Sequence, residues 1–350
     1  MNPLILMVLL ASLFLGTLIT FITTNWLLIW MGLEINTMAI IPLMIYKQHP
    51  RAVEATTKYF LTQATASALI LFSGVSNAWL TGQWELTEMM NQASATLITL
   101  ALALKIGLAP MHFWMPEVLQ GINLTTGLIL STWQKLAPFA ILLQLHQELN
   151  PNLLMFLGIS SIIVGGWGGL NQTQLRKMLA YSSIAHLGWM VSILHYSPHL
   201  TLLNLMLYII LTTSLFLMFI NTNSTKLNSI SPFMMKTPLM SPILLTSLLS
   251  LGGLPPLSGF MPKWLILEEL VKQNMTLITT IMALATLLSL FFYLRLCYMT
   301  SLTISPNLTL STSSWQPLST NMNNMLLTTS ATMSALLLPL TPMMLTMTMW

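Results

Sequence analysis

The chain has 350 residues, of which 55% are apolar and 6% charged, with a formal net charge of +4. A soluble domain carries about 25% charged residues, so this composition excludes a water-soluble fold, and the basic residues are too scattered to form a nucleic-acid-binding face. The single cysteine, Cys297, excludes an internal disulfide framework or a cysteine-ligated cluster.

Apolar runs recur from end to end, each close to the roughly 20 residues needed to cross a bilayer. They are apolar all round rather than alternating, which predicts helices and not a lipid-facing barrel. The expected architecture is an all-α polytopic membrane protein of about eleven transmembrane helices. The predicted spans in chain order begin with 3–23 and 25–45. The first starts directly at Met1-Asn2-Pro3-Leu4, with no basic leader, transit peptide or cleavage site expected. The second carries Glu34 in WMGLEINTMAI.

Span 59–79 follows, then 95–116. The latter holds Lys105 and His112 in LALKIGLAPMHFWMPE, where Gly107, Pro110 and Pro116 interrupt the apolar helix. Span 123–145 carries Lys135, and span 150–170 ends in GGWGG at 165–169. That glycine cluster lacks the G-x-G-x-x-G of a nucleotide fold and predicts close helix packing.

Span 177–195 places His186 in YSSIAHLGWM, with Tyr181, Ser182 and Ser183 about one turn away. Imidazole and hydroxyls at this spacing can build a hydrogen-bonded wire with water, or a hydrogen-bonded structural histidine. After 200–220 comes 239–265, where LLSLGGLPPLSGFMPKW breaks the helix just before Lys263. Spans 275–297 and 325–346 complete the set. Segments 221–238 and 298–324 are rich in Ser, Thr, Asn and Pro and read as surface loops.

Basic residues set the orientation. Lys47, Arg51, Lys58, Arg176, Lys177, Lys226, Lys236 and Arg295 fall on one predicted side. Lys272, Glu85, Glu88, Glu148, Glu268 and Glu269 fall on the other. The N-terminus is therefore expected inside and the C-terminus outside. Lys105, Lys135, Lys263 and Glu34 are left within or at the edge of spans. A charge at the centre of a membrane helix costs about 2.5–3.5 kcal/mol on insertion scales. Such residues are either structural ion pairs or snorkelling lysines, or they carry function. Four in one chain, two beside helix breaks, favour function. Broken helices in corresponding halves of a chain mark an ion site near the midplane. A buried lysine loses its proton readily, and a nearby carboxylate holds that proton on. No haem or metal ligand set is evident.

KIGLAPMHFWMPEVLQG (105–121) and LGGLPPLSGFMPKW (251–264) resemble the two lysine-bearing broken helices of the antiporter-like proton pump subunits of respiratory complex I. YSSIAHLGWM and WMGLEIN agree with that family, and the excess of Met and Thr with scarce Cys resembles an animal mitochondrially encoded protein. The resemblance implies antiporter-like inverted repeats with a truncated N-terminal repeat at 1–122, the second repeat with connecting helices at 123–297, and a polar loop plus C-terminal helix at 298–350.

It further implies that Glu34 and Lys105 form an acid–base pair, that Lys135 is the central lysine and Lys263 the terminal one, and that His112 and His186 line a hydrated proton-transfer axis. No cofactor is expected on this chain; NADH, FMN, iron–sulfur clusters and ubiquinone would lie in other subunits. Expected partners are other membrane-arm subunits, accessory subunits, and lipid such as cardiolipin at the groove left by the missing helices, in the mitochondrial inner membrane. The N-terminus would face the matrix and the C-terminus the intermembrane space. A stand-alone cation/proton antiporter and a structural spacer are the alternatives that the residues leave open.

Overall fold

The computed structural model describes residues 2–46, 48–86, 91–222, 224–227, 230, 240–302, 324–343 and 346. Among the described residues, seven helical segments are long and apolar enough to cross a membrane. The charges Lys47, Glu88 and Lys236, and most of the two expected polar loops, lie outside the described residues. The chain divides into two compact units, Met1–Ser161 with Leu194–Pro198, and Ile162–Ile193 with His199–Trp350.

The first unit opens with α1 (Pro3–Ile22) and α2 (Trp26–Ile45). These pack closely because small residues meet: a Cβ on Gly32 would stand 2.8 Å from Thr20 Cγ2 and 3.0 Å from the Gly16 carbonyl. Leu4, Met7, Val8 and Leu15 of α1 remain exposed. The Asn25 side chain caps α2 by accepting from the Leu27 N–H at 3.1 Å.

Helix α3 (Pro50–Thr81) starts well before the predicted span. Pro50 occupies its first turn, and the His49 ring accepts from the Arg51 N–H at 3.2 Å. At 32 residues it is about 48 Å long, against about 30 Å of hydrocarbon. Arg51 and Lys58, expected in a loop, therefore lie on a helix. Lys58 pairs with Glu54 at 2.8 Å and with Glu117 at 2.7 Å.

The fourth predicted span is split into α4 (Gln92–Ile106) and α5 (Trp114–Gly121). Gly107 ends α4 with φ of 86°, and the N–H groups of Gly107 and Leu108 both donate to the Ala103 carbonyl at 2.9 Å. The link between them contains a cis Ala109–Pro110 bond, and the Ser160 hydroxyl donates to the Ala109 carbonyl at 3.1 Å.

The fifth span is interrupted too, as α6 (Leu124–Ser131) and α7 (Trp133–Gln144). The segment Leu124–Gln144 still forms one span of 21 residues, of membrane-crossing length. The Ser131 and Thr132 hydroxyls both donate to the Leu128 carbonyl, and Pro138 inside α7 can donate nothing to Gln134. Helix α8 (Pro151–Gly169) runs on into the second unit.

In the second unit the end of α8 meets α9 (Leu175–Ile193) through the predicted glycines. A Cβ on Gly165 would lie 2.7 Å from the Ala185 nitrogen and 2.8 Å from the Tyr181 carbonyl. Gly168 lies against the Tyr181 ring and Gly169 against Phe292. Helix α10 is Pro198–Asn221, and the ninth span is broken into α11 (Met240–Gly252) and α12 (Phe260–Lys272). Gly253, with φ of 82°, ends α11. Helix α13 (Thr276–Leu302) runs past its predicted end, and its Arg295 guanidinium donates to the Leu170 carbonyl at 2.7 Å.

The last span is interrupted among the described residues, with residues 341–343 helical again beyond the interruption. Helix α14 (Asn324–Leu336) gives way to a 3-10 turn at Leu338–Leu340. Pro339 disfavours helical backbone at the preceding residue. The Ser258 hydroxyl, in the link between α11 and α12, donates to the Ser334 carbonyl of α14.

Candidate functional site

Breaking α4 at Gly107 orphans its last carbonyls. The Trp114 indole N–H donates to the Leu104 carbonyl at 3.0 Å, and the Gln63 amide donates to the Lys105 carbonyl at 3.4 Å. Lys105 itself is 6% exposed, and its ammonium nitrogen is buried with no hydrogen-bond partner. It lines a cavity of about 20 Å³ together with Lys135, Tyr59, Gln63, Thr37 and Gln134. The structure thus brings Lys105 and Lys135 to one polar chamber. Lys135 sits in the first turn of α7, so the third buried lysine also lies beside a helix interruption.

Glu34 is placed elsewhere. On α2, Leu33, Asn36 and Thr37 face the lysine cavity, whereas Trp30, Met31, Glu34, Ile35 and Met38 line an open groove of about 430 Å³. These two sets fall on different faces of the helix, so α2 is a wall one helix thick. No ion pair within 4 Å joins Glu34 to Lys105 among the described residues. The carboxylate is nevertheless near enough to interact electrostatically with Lys105 and with the Tyr59 phenol. One of its oxygens is buried and unpartnered.

His112 occupies the link between α4 and α5, its ring nitrogen 3.3 Å from the Pro110 carbonyl and its ring against Phe113. It is not among the residues lining the Lys105–Lys135 cavity.

The second unit holds a smaller chamber of about 10 Å³. It is lined by Lys263 and His186 with Asn204, Tyr208, Trp189 and Gly259. Lys263 lies one residue after Pro262 on α12 and reaches back across the break. Its ammonium donates to the Gly252 carbonyl at 2.9 Å and, at 3.5 Å, to that of Leu251. The lysine stem lies over Gly253, where a Cβ would meet Nζ at 2.8 Å. His186 stands 5.8 Å from the Tyr208 ring, and Tyr208 shares a hydrogen bond with Ser183. Among the described residues no group of three or more His, Cys, Asp or Glu could hold a metal.

Residues 23–289 match the family described as NADH:quinone oxidoreductase/Mrp antiporter, TM, and residues 290–345 match the NADH dehydrogenase subunit 2 C-terminus. The chain is 69% identical to NADH-ubiquinone oxidoreductase chain 2 of Squalus acanthias, over 98% of both chains. The chain belongs to the NADH-ubiquinone oxidoreductase chain 2 family.

The chain 2 protein of Carassius auratus is 60% identical over 99% of this chain and 100% of its own. Among solved structures, respiratory complex I from Thermus thermophilus contains a chain that superposes with a TM-score of 0.85 at 26% identity. The match covers 97% of this chain and 78% of that one. This chain 2 family member also shares its fold, at a TM-score of 0.85 and 17% identity, with a chain of an archaeal membrane-bound sulfane sulfur reductase.

Sequence reasoning singled out the four charges but missed the neutral groups around them: Tyr59, Gln63 and Trp114 in the first unit, Asn204 and Tyr208 in the second. Gln63 was findable, as an amide in the middle of an apolar helix and one turn from Tyr59. Pro138 was the signal for the interruption beside Lys135.

Proposed function

We propose that this chain 2 family member is a proton-translocating membrane subunit of NADH–ubiquinone oxidoreductase in the mitochondrial inner membrane. The observation that carries the reading is the pairing of helix breaks with buried lysines. Lys105 and Lys263 each lie at a break and in a chamber of water-molecule size, and Lys135 shares the first of them. A lysine in such a site exchanges a proton without leaving its place. NADH oxidation, flavin and iron–sulfur chemistry and ubiquinone reduction belong to other subunits of the complex.

In this reading Glu34 works by field rather than by contact. Its charge acts on Lys105 through α2, in surroundings where low dielectric strengthens charge interactions. A neighbouring subunit or lipid, cardiolipin included, would cover the groove beside Glu34, so a change there would reach Lys105. His112 and His186 would hand protons onward. The basic loops would face the matrix, and the repeat boundaries at 122 and 297 belong to the same reading. A relative named as an oxidoreductase chain over 98% of both lengths weighs against a stand-alone antiporter.

The test is Glu34→Gln in the assembled complex. Proton-coupled turnover should fall while the amount of assembled complex is unchanged. Full pumping in this variant would refute the field-coupled reading.

A further inference from the structure

We propose that Ser258 is the positioning residue of the second helix break. Its hydrogen bond to the Ser334 carbonyl straps the link between α11 and α12 to α14, and that strap holds Lys263 on the Gly252 carbonyl. This rests on the reading of Lys263 as a proton carrier and adds the residue that sets the lysine's place. Three observations support it.

The first is the backbone of the link. Among the described residues it is tied to α11 at its start and closes on itself after that. The N–H groups of Gly253 and Leu254 donate to the Leu249 carbonyl, at 3.1 and 3.3 Å. Pro255 and Pro256 then offer no donor, and the Leu257 N–H turns back to the Leu254 carbonyl at 3.0 Å. Lys263 and Gly252 stand on opposite sides of this link, so their 2.9 Å hydrogen bond depends on where the link places α12.

The second is the anchor that Ser258 finds on α14. Ser258 and Ser334 are each 1% exposed. Ser334 lies in the last turn of α14, where carbonyls have no intrahelical partner. The Leu337 N–H closes on the Met333 carbonyl at 3.2 Å, and the next carbonyl, that of Ser334, accepts from the Ser258 hydroxyl. A buried acceptor left unpaired is unfavourable, so both partners favour the bond.

The third joins the anchor to the chamber. Just beyond α14, Leu337 packs in one cluster with Leu203 and Leu207 of α10 and Met261 of α12. Leu207 also lines the Lys263 chamber, as does Gly259, the neighbour of Ser258. A Cβ on Gly259 would overlap the Ser250 carbonyl of α11, so the link is already pressed against that half-helix. The end of α14 therefore bears on the start of α12 through a hydrogen bond and an apolar contact. Ser258 acts through the placement of Lys263 and carries no proton itself.

The test measures NADH-driven proton uptake per assembled complex in Ser258→Ala, in Lys263→Met and in the double variant. A misplacement of about 1 Å in a positioned group can cost about 10²-fold, so Ser258→Ala, which removes only a donor, should lower uptake about tenfold at normal assembly. The double variant should be no slower than Lys263→Met alone, because the effects of residues that act through one another do not add. Multiplied losses would mark Ser258 as a general structural contact and overturn the proposal. Wild-type uptake in Ser258→Ala with impaired uptake in Lys263→Met would overturn the Ser258 proposal alone. Wild-type uptake in both would overturn the reading of Lys263. A high-resolution map of the wild-type complex decides independently of folding. The Ser258 hydroxyl is expected within hydrogen-bond distance of the Ser334 carbonyl, and a Ser258 side chain turned away from it would overturn the proposal.

Discussion

The Lys263 ammonium donates to the Gly252 carbonyl at 2.9 Å, so a side chain of one half-helix closes the end of the other. A cation at a helix C-terminus is favoured by the unpaired carbonyls and the dipole there. Lys105 is arranged differently: its own break is closed by Gln63 and Trp114, which leaves its ammonium free of backbone partners. The two breaks thus hold their lysines in different ways, one tethered and one not.

Gly253 is required twice over at the tethered break. Its φ of 82° costs an L-residue about 1–2 kcal/mol, and a Cβ would meet Lys263 Nζ at 2.8 Å. Gly253→Ala should displace the ammonium from the Gly252 carbonyl and lower turnover per assembled complex. Turnover equal to wild type would show that the tether is dispensable.

Trp114→Phe keeps an aromatic ring but removes the donor that satisfies the Leu104 carbonyl. A buried polar group left unpaired costs about 1–3 kcal/mol. Thermal inactivation of the complex should occur at lower temperature. Gln63→Leu should shift it less, because its bond to the Lys105 carbonyl is longer, at 3.4 Å against 3.0 Å. The opposite ranking would argue against carbonyl satisfaction as the cause.

Two glycine-to-alanine changes separate packing from backbone strain. Gly165→Ala forces a Cβ against the Ala185 nitrogen at 2.7 Å, an overpacking cost of about 1–3 kcal/mol. Gly82 has nothing within 4 Å of a built Cβ, but its φ is 77°. Gly82→Ala pays only the left-handed backbone term, about 1–2 kcal/mol. Native-gel yield of assembled complex should fall more for Gly165→Ala, whose Cβ meets backbone atoms of α9, than for Gly82→Ala, which has open space around it.

Lys58 provides the contrast with the buried lysines. Its side chain is 43% exposed and paired with Glu54 and Glu117, and exposed pairs are screened by water and salt. Lys58→Met should leave proton-coupled turnover at the wild-type level. A large loss would mean that this pairing does more than join α3 to α5.

The helices were legible because burial in lipid demands long apolar runs, and the breaks at Gly107 and Gly253 because glycine and proline mark them directly. The limits of α3 were not, since Pro50 and His49 extend it beyond the apolar stretch. The interruption at Thr132 was harder to place because neither glycine nor proline stands at it, and Pro138 lies six residues further on. The lysines stood out as charges in lipid, and the structure gathers Lys105 with Lys135 and Lys263 with His186. Glu34 and Lys105 were expected to act as an acid–base pair; the structure puts Glu34 on another face of α2 while leaving it near enough to interact electrostatically with Lys105, a distinction that spacing to a residue on another helix cannot supply. Tyr59 and Tyr208 carried no signal, because a tyrosine in an apolar helix is ordinary until its neighbours are known.

The most direct test of the account is Lys105→Met in the complete complex, with NADH-driven proton uptake measured per assembled complex. Methionine replaces the ammonium with an apolar side chain of similar length, so the cavity stays filled. Because a positioned proton-transfer group contributes about 10²–10⁴, uptake should drop about tenfold or more at normal assembly. Wild-type uptake by a fully assembled Lys105→Met complex would contradict the claim that this buried lysine carries protons.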